Sequence, residues 1–260
     1  MKRVVIISDL HAGHRGGLTP PGWQYSADCS DMARQKFERL QRICWSFFTQ
    51  EIDKLKPIDV LIVNGDLITG KEVKTGGTEL LETDRIKQCA ISSEAIMYAG
   101  AKEVHLIYGT PFHAGNDEDM ENIVADLVSA DSIKDHAWID VNGLIFDVKH
   151  FIGSSVIPHG RATAILRDAL WNVLWNREEG QPLADVFIRS HVHYHAFAGD
   201  NSKLCIVTPA LQSYSKIGTR RYSGLVHYGF ISFDVEDKRT YTWKSHILGW
   251  KNLIQPVVVK

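Results

Sequence analysis

The sequence predicts an α/β protein in which mixed β-sheets are covered by helices, all in one domain spanning residues 1–260. Three observations lead there. Short apolar runs alternate with long amphipathic ones through the first half, in the order βαβαβ. Strands dominate the second half. No repeat, linker or low-complexity tract divides the chain.

Arg3 to Ser8 reads as a buried strand, with β-branched residues on both faces. A polar loop containing Gly and Pro follows, from His11 to about Ser30. Met32, Phe37, Leu40, Cys44, Phe48 and Leu55 recur at spacings that suit one helical face, and Pro57 lies just beyond. Ile58 to Val63 forms the second strand and ends in Asn64-Gly65-Asp66. A Gly-rich loop leads to a helix over Thr78–Ala99. The third strand runs from Glu103 to Tyr108, then comes the loop Gly109–Asp117 and a helix to about Ser129. Ala137–Val141 and Leu144–His150 flank Asn142-Gly143, a strong hairpin signal. Arg161–Asn176 reads as a helix, with Gly180 close behind. Strands are expected at Asp185–Arg189, Val192–Ala198, Lys203–Thr208, Leu225–Val235 and Thr240–His246.

Composition narrows the function classes. With 29 basic and 31 acidic side chains the formal charge is −2, so no bulk field draws the chain to nucleic acid or an anionic membrane, although a local basic groove is compatible with it. No apolar stretch approaches the ~18 residues of a spanning helix. The opening Met-Lys-Arg and Val4–Ile7 meet Ser8 and Asp9 too soon for a signal peptide. Cys29, Cys44, Cys89 and Cys205 lie far apart with no Cys-x-x-Cys, which indicates neither a disulfide framework nor a thiolate zinc site and makes a reduced, cytoplasmic compartment the expectation.

Histidine carries the chemical signal. Asp9 and His11 follow the first strand, and an extended chain would turn both to one side. Asp66 sits after the second strand, where Gly65 permits a sharp turn. His150 continues the apolar face of Leu144, Phe146 and Val148, a pattern that a core histidine would share. His191, His193 and His195 alternate in Ser-His-Val-His-Tyr-His, so period-two geometry could align all three, with His195 the expected bystander. Singly, each fits a turn residue or a core histidine. Jointly, two carboxylates and four imidazoles at strand ends suit a pair of divalent ions with mixed oxygen and nitrogen ligands.

In this order, Asp9-x-His11, Gly65-Asp66, the loop at Gly109–Asp117, His150 and His191-x-His193 resemble the calcineurin-like metallophosphoesterase family, from residue 9 to residue 193. The resemblance implies an αββα sandwich of two mixed β-sheets flanked by helices, with two metals on the strands' C-terminal edge. By position, Asp9, His11 and His193 would hold one metal and His150 and His191 the second, with Asp66 bridging both. The implied reaction is hydrolysis of phosphomonoesters or phosphodiesters by a metal-bridging hydroxide. Manganese is the first choice of ion, with iron, zinc or nickel as alternatives.

One departure stands out. The family carries Gly-Asn-His after its third strand, whereas this chain reads Gly109-Thr110-Pro111-Phe112-His113. Thr110 takes the Asn position, His113 becomes the candidate general acid, and Asn116 is an alternative ligand. Asp117, Glu118 and Asp147 are candidates for orienting the ligand imidazoles. His14, Arg15, Arg220 and Arg221 are candidates for substrate binding, with Trp23 as a stacking platform. Arg189 could serve phosphate or a buried acid. Trp171 and Trp175, four apart on a helix, read as packing residues. A phosphorylated small molecule or a nucleic acid is the expected substrate, and a nuclease is one alternative. A non-catalytic interaction module that keeps the fold is another. An amidohydrolase barrel is disfavoured, because its His-x-His belongs on the first strand. The oligomeric state is not legible.

Overall fold

The computed structural model describes residues 1–28, 30–73, 76–114, 119–215 and 226–249, with Ala33 and Ala114 described by backbone only. The elements are β1 (Lys2–Ile7), α1 (Met32–Leu55), β2 (Val60–Asn64), α2 (Arg85–Tyr98), β3 (Glu103–Ile107), α3 (Pro111–Ala114), α4 (Met120–Leu127), β4 (Ser132–Lys134), β5 (His136–Val141), β6 (Leu144–Lys149), α5 (Thr163–Glu179), β7 (Val186–Arg189), β8 (Ala196–Gly199), β9 (Leu204–Val207), β10 (Gly229–Val235) and β11 (Tyr241–Ile247). They form two mixed sheets. The six-stranded one has the order β11-β10-β1-β2-β3-β4 and the five-stranded one β5-β6-β7-β9-β8.

Strand alternation separates three apolar layers. Val4 and Ile6 of β1 and Val60 and Ile62 of β2 face Phe146, Val148, Val186, Ile188 and Ile206 of the second sheet. The intervening Val5, Ile7, Leu61 and Val63 face the other way, onto Phe48, Ile52, Cys89 and Ile96 of α1 and α2. On the far side, Phe187, Cys205 and Val207 pack under Ile165 and Ala169 of α5. Burying each such aliphatic side chain contributes about 1.5–3 kcal/mol, which is why both faces of β1, β2 and β7 are apolar. The result is an αββα sandwich. Among the described residues, no helix is long and apolar enough to cross a membrane.

Several boundaries differ from the sequence reading. Met32 is exposed, and the buried stripe of α1 is Cys44, Phe48 and Ile52. The second helix begins at Arg85, because the Asp84 carboxylate caps the Ile86 amide and the preceding segment pairs with Gly13 and His14. β4 has only three residues, too few for a periodic signal. β8 starts at Ala196, since His191 and His193 adopt left-handed backbone and break the expected extension. Trp171 and Trp175 stack on each other, half exposed, so neither enters the core. Phe48, Tyr228 and Phe230 are fully buried, as packing residues should be.

Candidate metal centre

Parallel pairing between β1 and β2 sets Ile6 opposite Ile62 and Ile7 opposite Val63. The pairing continues beyond the strands: the amides of Asp9, His11 and Ala12 donate to the carbonyls of Gly65, Asp66 and Leu67 at 3.0, 3.0 and 3.1 Å. Within the second sheet, the Ser190 amide donates to the His150 carbonyl at 2.8 Å. Beneath these loops lies a buried polar chain, in which Asn64 Nδ2 donates to Ser190 Oγ at 2.7 Å. Ser190 Oγ and Ser8 Oγ both bond Thr208 Oγ1, at 2.7 and 2.8 Å. The strand ends of both sheets are thereby tied together.

The backbone itself is unusual here. Asp9, His11, Asp66, His191 and His193 all have positive φ, at 52, 43, 52, 72 and 54°. Non-glycine residues enter this region at a cost and cluster at functional sites. The turn geometry, not an extended chain, turns Asp9 and His11 to one side. Gly65, at φ 75°, admits no side chain, since a Cβ there would run into the His150 ring.

Two carboxylate oxygens organise the centre. Asp66 Oδ2 lies 3.1 Å from His150 Nε2, 3.8 Å from His191 Nδ1, 3.9 Å from His11 Nε2 and 4.0 Å from His113 Nε2. Asp9 Oδ1 lies 3.2 Å from His193 Nε2 and 4.0 Å from both His11 Nε2 and His150 Nε2. Three sets of ligand atoms, each within 4.8 Å of one another, result: Asp9, His11 and His193; His11, Asp66 and His113; Asp66, His150 and His191. The side chains of Asp9, Asp66, His11 and His150 are almost fully buried. His191, His193 and His113 are 32, 21 and 18% exposed and mark the mouth.

Tautomers are set from behind. His150 Nδ1 donates to the Asn64 carbonyl at 2.6 Å and His113 Nδ1 to the Thr69 carbonyl at 2.9 Å. Each bond turns Nε2 toward Asp66, where the ring would offer a lone pair to a metal that displaced any proton there, the arrangement seen behind metal-ligating histidines. Asp66 Oδ1, by contrast, is saturated. It accepts the Thr110 amide at 2.7 Å and the Thr110 hydroxyl at 3.0 Å, leaving Oδ2 to the imidazoles.

Charge follows this geometry. Burial raises the Asp9 carboxyl, but His193 and His150 outweigh it and hold it below the ordinary range. Asp66 is held well below that range, because His150 and His113 overcome its burial. Burial and the neighbouring His113 push His11 well down, so it stays neutral. Burial would lower His150 too, yet Asp66 and Asp9 lift it to about 10. Even beside a protonated His150, two ionised carboxylates leave net negative charge among these rings, which suits a cation. Asp9 Oδ1, His150 Nε2 and His191 Nδ1, which all face the centre, are buried without a hydrogen bond of good geometry, and such ligand-type atoms fit a site built for metal.

The remaining sequence candidates sit elsewhere. His14 is buried, accepts the Gly16 amide on Nδ1 at 2.9 Å and faces Glu72 at 3.3 Å through Nε2. Arg15 pairs with Glu79 at 2.6 Å and lies over the Phe37 ring. Both are engaged in bracing the loops. Trp23 donates its indole N–H to Glu94. Arg189 is buried between Asp147 at 2.8 Å and Asp168 at 2.9 Å, so it serves acids, and Asp147 also accepts from His136 and orients no site imidazole. His195 turns away, donating to the Val207 carbonyl. Asn116, Asp117, Glu118, Arg220 and Arg221 lie outside the described residues.

Two contributors escaped the sequence reading. Thr110 grips Asp66 instead of offering a ligand. Glu121, on α4, accepts the Leu67 amide at 3.0 Å and the Gly109 amide at 2.7 Å, fixing the turns that carry Asp66 and Thr110. Burial raises its carboxyl to about 7 against the pull of those amides. The signal was available: Glu121 shares a helical face with Val124 and Ala125, an acid at a core position.

No protein-family model matches the chain, and no curated protein matches it. Solved structures do. Vps29 from Chaetomium thermophilum is 10% identical, with 94% of this chain and 97% of that one covered at a TM-score of 0.49. Wild-type Vps29 from Entamoeba histolytica, complexed with Zn²⁺, is 15% identical over 94% of this chain and 98% of its own, with a TM-score of 0.44. A structure described as a novel archaeal phosphodiesterase is 14% identical over 94% of this chain and 99% of its own, with a TM-score of 0.46.

Proposed function

We propose that this protein is a metal-dependent phosphoester hydrolase working with two divalent cations. Asp9, His11 and His193 would hold one cation, His150 and His191 the other, and Asp66 both. The observation that carries this reading is the position of Asp66 Oδ2 among four imidazoles, with Asp9 Oδ1, His150 Nε2 and His191 Nδ1 buried around it without a hydrogen bond of good geometry. Bound cations supply Lewis acidity and neutralise charge on the phosphoryl oxygens.

The chain's own groups do the rest. Thr110 holds one oxygen of Asp66 and aims the other inward. The Thr69 carbonyl fixes the His113 ring through Nδ1, and a ring that is also protonated on Nε2 can pass that second proton to the leaving oxygen. Such a step contributes about 10²–10⁴-fold. The first substrates to consider are phosphorylated small molecules and nucleic acids, in the cytoplasm, and the first cation is Mn²⁺, with Fe, Zn and Ni next.

Metal analysis with turnover of mono- and bis-(4-nitrophenyl) phosphate tests the reading. The Mn²⁺-loaded protein is expected to release nitrophenol, and Asp66→Asn or His191→Ala to abolish release with the circular dichroism unchanged. Wild-type rates in both variants would overturn the assignment. Tight metal binding without hydrolysis of either ester would favour a binding module on the same fold.

A further inference from the structure

Three phenylalanines are exposed among the described residues: Phe112, Phe151 and Phe197. Two of them lie on imidazoles of the metal centre. The Phe112 ring, 38% exposed, meets His113 edge-on with centroids 4.9 Å apart. The Phe151 ring, 56% exposed, meets His191 at 4.9 Å and a 40° tilt. His113 in turn contacts His11 at 4.5 Å, and His191 contacts His150 at 5.5 Å. One phenylalanine therefore ends the row of rings on the His11 side of Asp66, and the other ends the row on the His150 side.

These rings adjoin two of the three imidazoles that reach solvent, so they border the mouth. A phenylalanine left half in water gives up the burial that stabilises it elsewhere. The sequence also supplies each one directly beside a site histidine, as Phe112-His113 and His150-Phe151. We infer that Phe112 and Phe151 are specificity-determining residues that receive a flat aromatic substituent of the substrate, an aryl group or a nucleobase, on either side of the phosphoryl group. The inference rests on the reading of the centre as a phosphoester site. A phosphate seated on the exposed imidazoles would extend its ester substituents over one ring or the other, and stacking on an aromatic side chain tolerates any flat ring.

The test uses two ligand pairs that differ only in the ring: phenylphosphonate against methylphosphonate, and thymidine 5′-phosphate against deoxyribose 5-phosphate. Each is titrated calorimetrically into the Mn²⁺-loaded protein, in wild type and in Phe112→Leu, Phe151→Leu and Phe151→Tyr. Wild type is expected to prefer the ring-bearing member by about tenfold or more. One Leu variant or the other should lose most of that preference, Phe151→Tyr should keep it, and a preference intact in both Leu variants overturns the inference. Metal content should stay equal to wild type in all of them. A preference confined to the nucleotide pair assigns the surface to nucleobases, and one confined to the phosphonate pair assigns it to aryl esters. Equal affinity within both pairs overturns the inference. So does a Leu variant that weakens ringed and ringless ligands alike, because the phenylalanines would then only steady the imidazoles. Ring preference without any turnover of nitrophenyl esters would sink the hydrolase reading and leave this one standing. Turnover without ring preference would do the reverse.

Discussion

Thr110→Val removes a hydroxyl and almost nothing else. Asp66 Oδ1 accepts two bonds from this residue, the amide at 2.7 Å and the hydroxyl at 3.0 Å, and valine keeps the first. A hydrogen bond to a charged acceptor is worth about 1.5–3 kcal/mol, and groups that orient metal ligands typically govern affinity about 10–100-fold. The two figures agree, since 1.4 kcal/mol is roughly tenfold. We expect Mn²⁺ to bind Thr110→Val about 10–100-fold more weakly than wild type by calorimetry, with Thr110→Ser close to wild type. Because Asp66 faces both ligand sets, both binding steps should weaken together. Affinity within twofold of wild type would refute the argument. Weakening of one step alone would mean that the Thr110 hydroxyl is itself a ligand.

Two further outcomes follow from buried charge. Glu121 titrates near 7 in the folded chain and at 4.5 when free, so between those values the folded state holds a proton that the unfolded state has lost. Stability should therefore fall as pH rises through this window, by about 3 kcal/mol once both states are ionised. In metal-free protein, Glu121→Gln should flatten the urea-denaturation profile between pH 5 and 8, and parallel profiles would contradict the assignment. Arg189→Met leaves Asp147 and Asp168 without their guanidinium. Breaking a buried pair costs about 3–5 kcal/mol, which lowers Tm by roughly 10 °C at this chain length; a scanning-calorimetry shift under about 2 °C would show the pair to be dispensable.

The strands and helices were legible because their signals are local, whereas their αββα arrangement was implied by the family resemblance. Asn142-Gly143 announces the β5–β6 hairpin, and both residues do have positive φ, 54 and 84°. The two-sided apolar runs of β1 and β2 announce strands covered on both faces, and the buried stripe of α1 carries Cys44 and Phe48 at helical spacing. What failed to show is what depends on long-range partners. Period-two reasoning extends His191 to His195 as a strand, whereas the tract turns at His191 and His193, where the Asp9 carboxylate meets the His191 amide from across the sandwich and the neighbouring His150 strand end holds Ser190. Arg15 reads as a phosphate ligand until Glu79, 64 residues away, is found on it. Thr110 reads as a poor ligand because its role is exercised on another residue's oxygen. Glu121 betrayed itself only by being an acid where its helix should be apolar.

The proposed ligand set is split between the two halves of the sandwich. Asp9, His11, Asp66 and His113 follow strands of one sheet, and His150, His191 and His193 follow strands of the other. An ion gripped by both sets acts as a rivet through the layers. Its binding free energy therefore adds to the cohesion of the fold, and any sliding of one sheet on the other loosens the grip. Occupancy and architecture become one variable: if the proposed site holds its ion, withdrawing that ion would leave a protein that is not only idle but less durable.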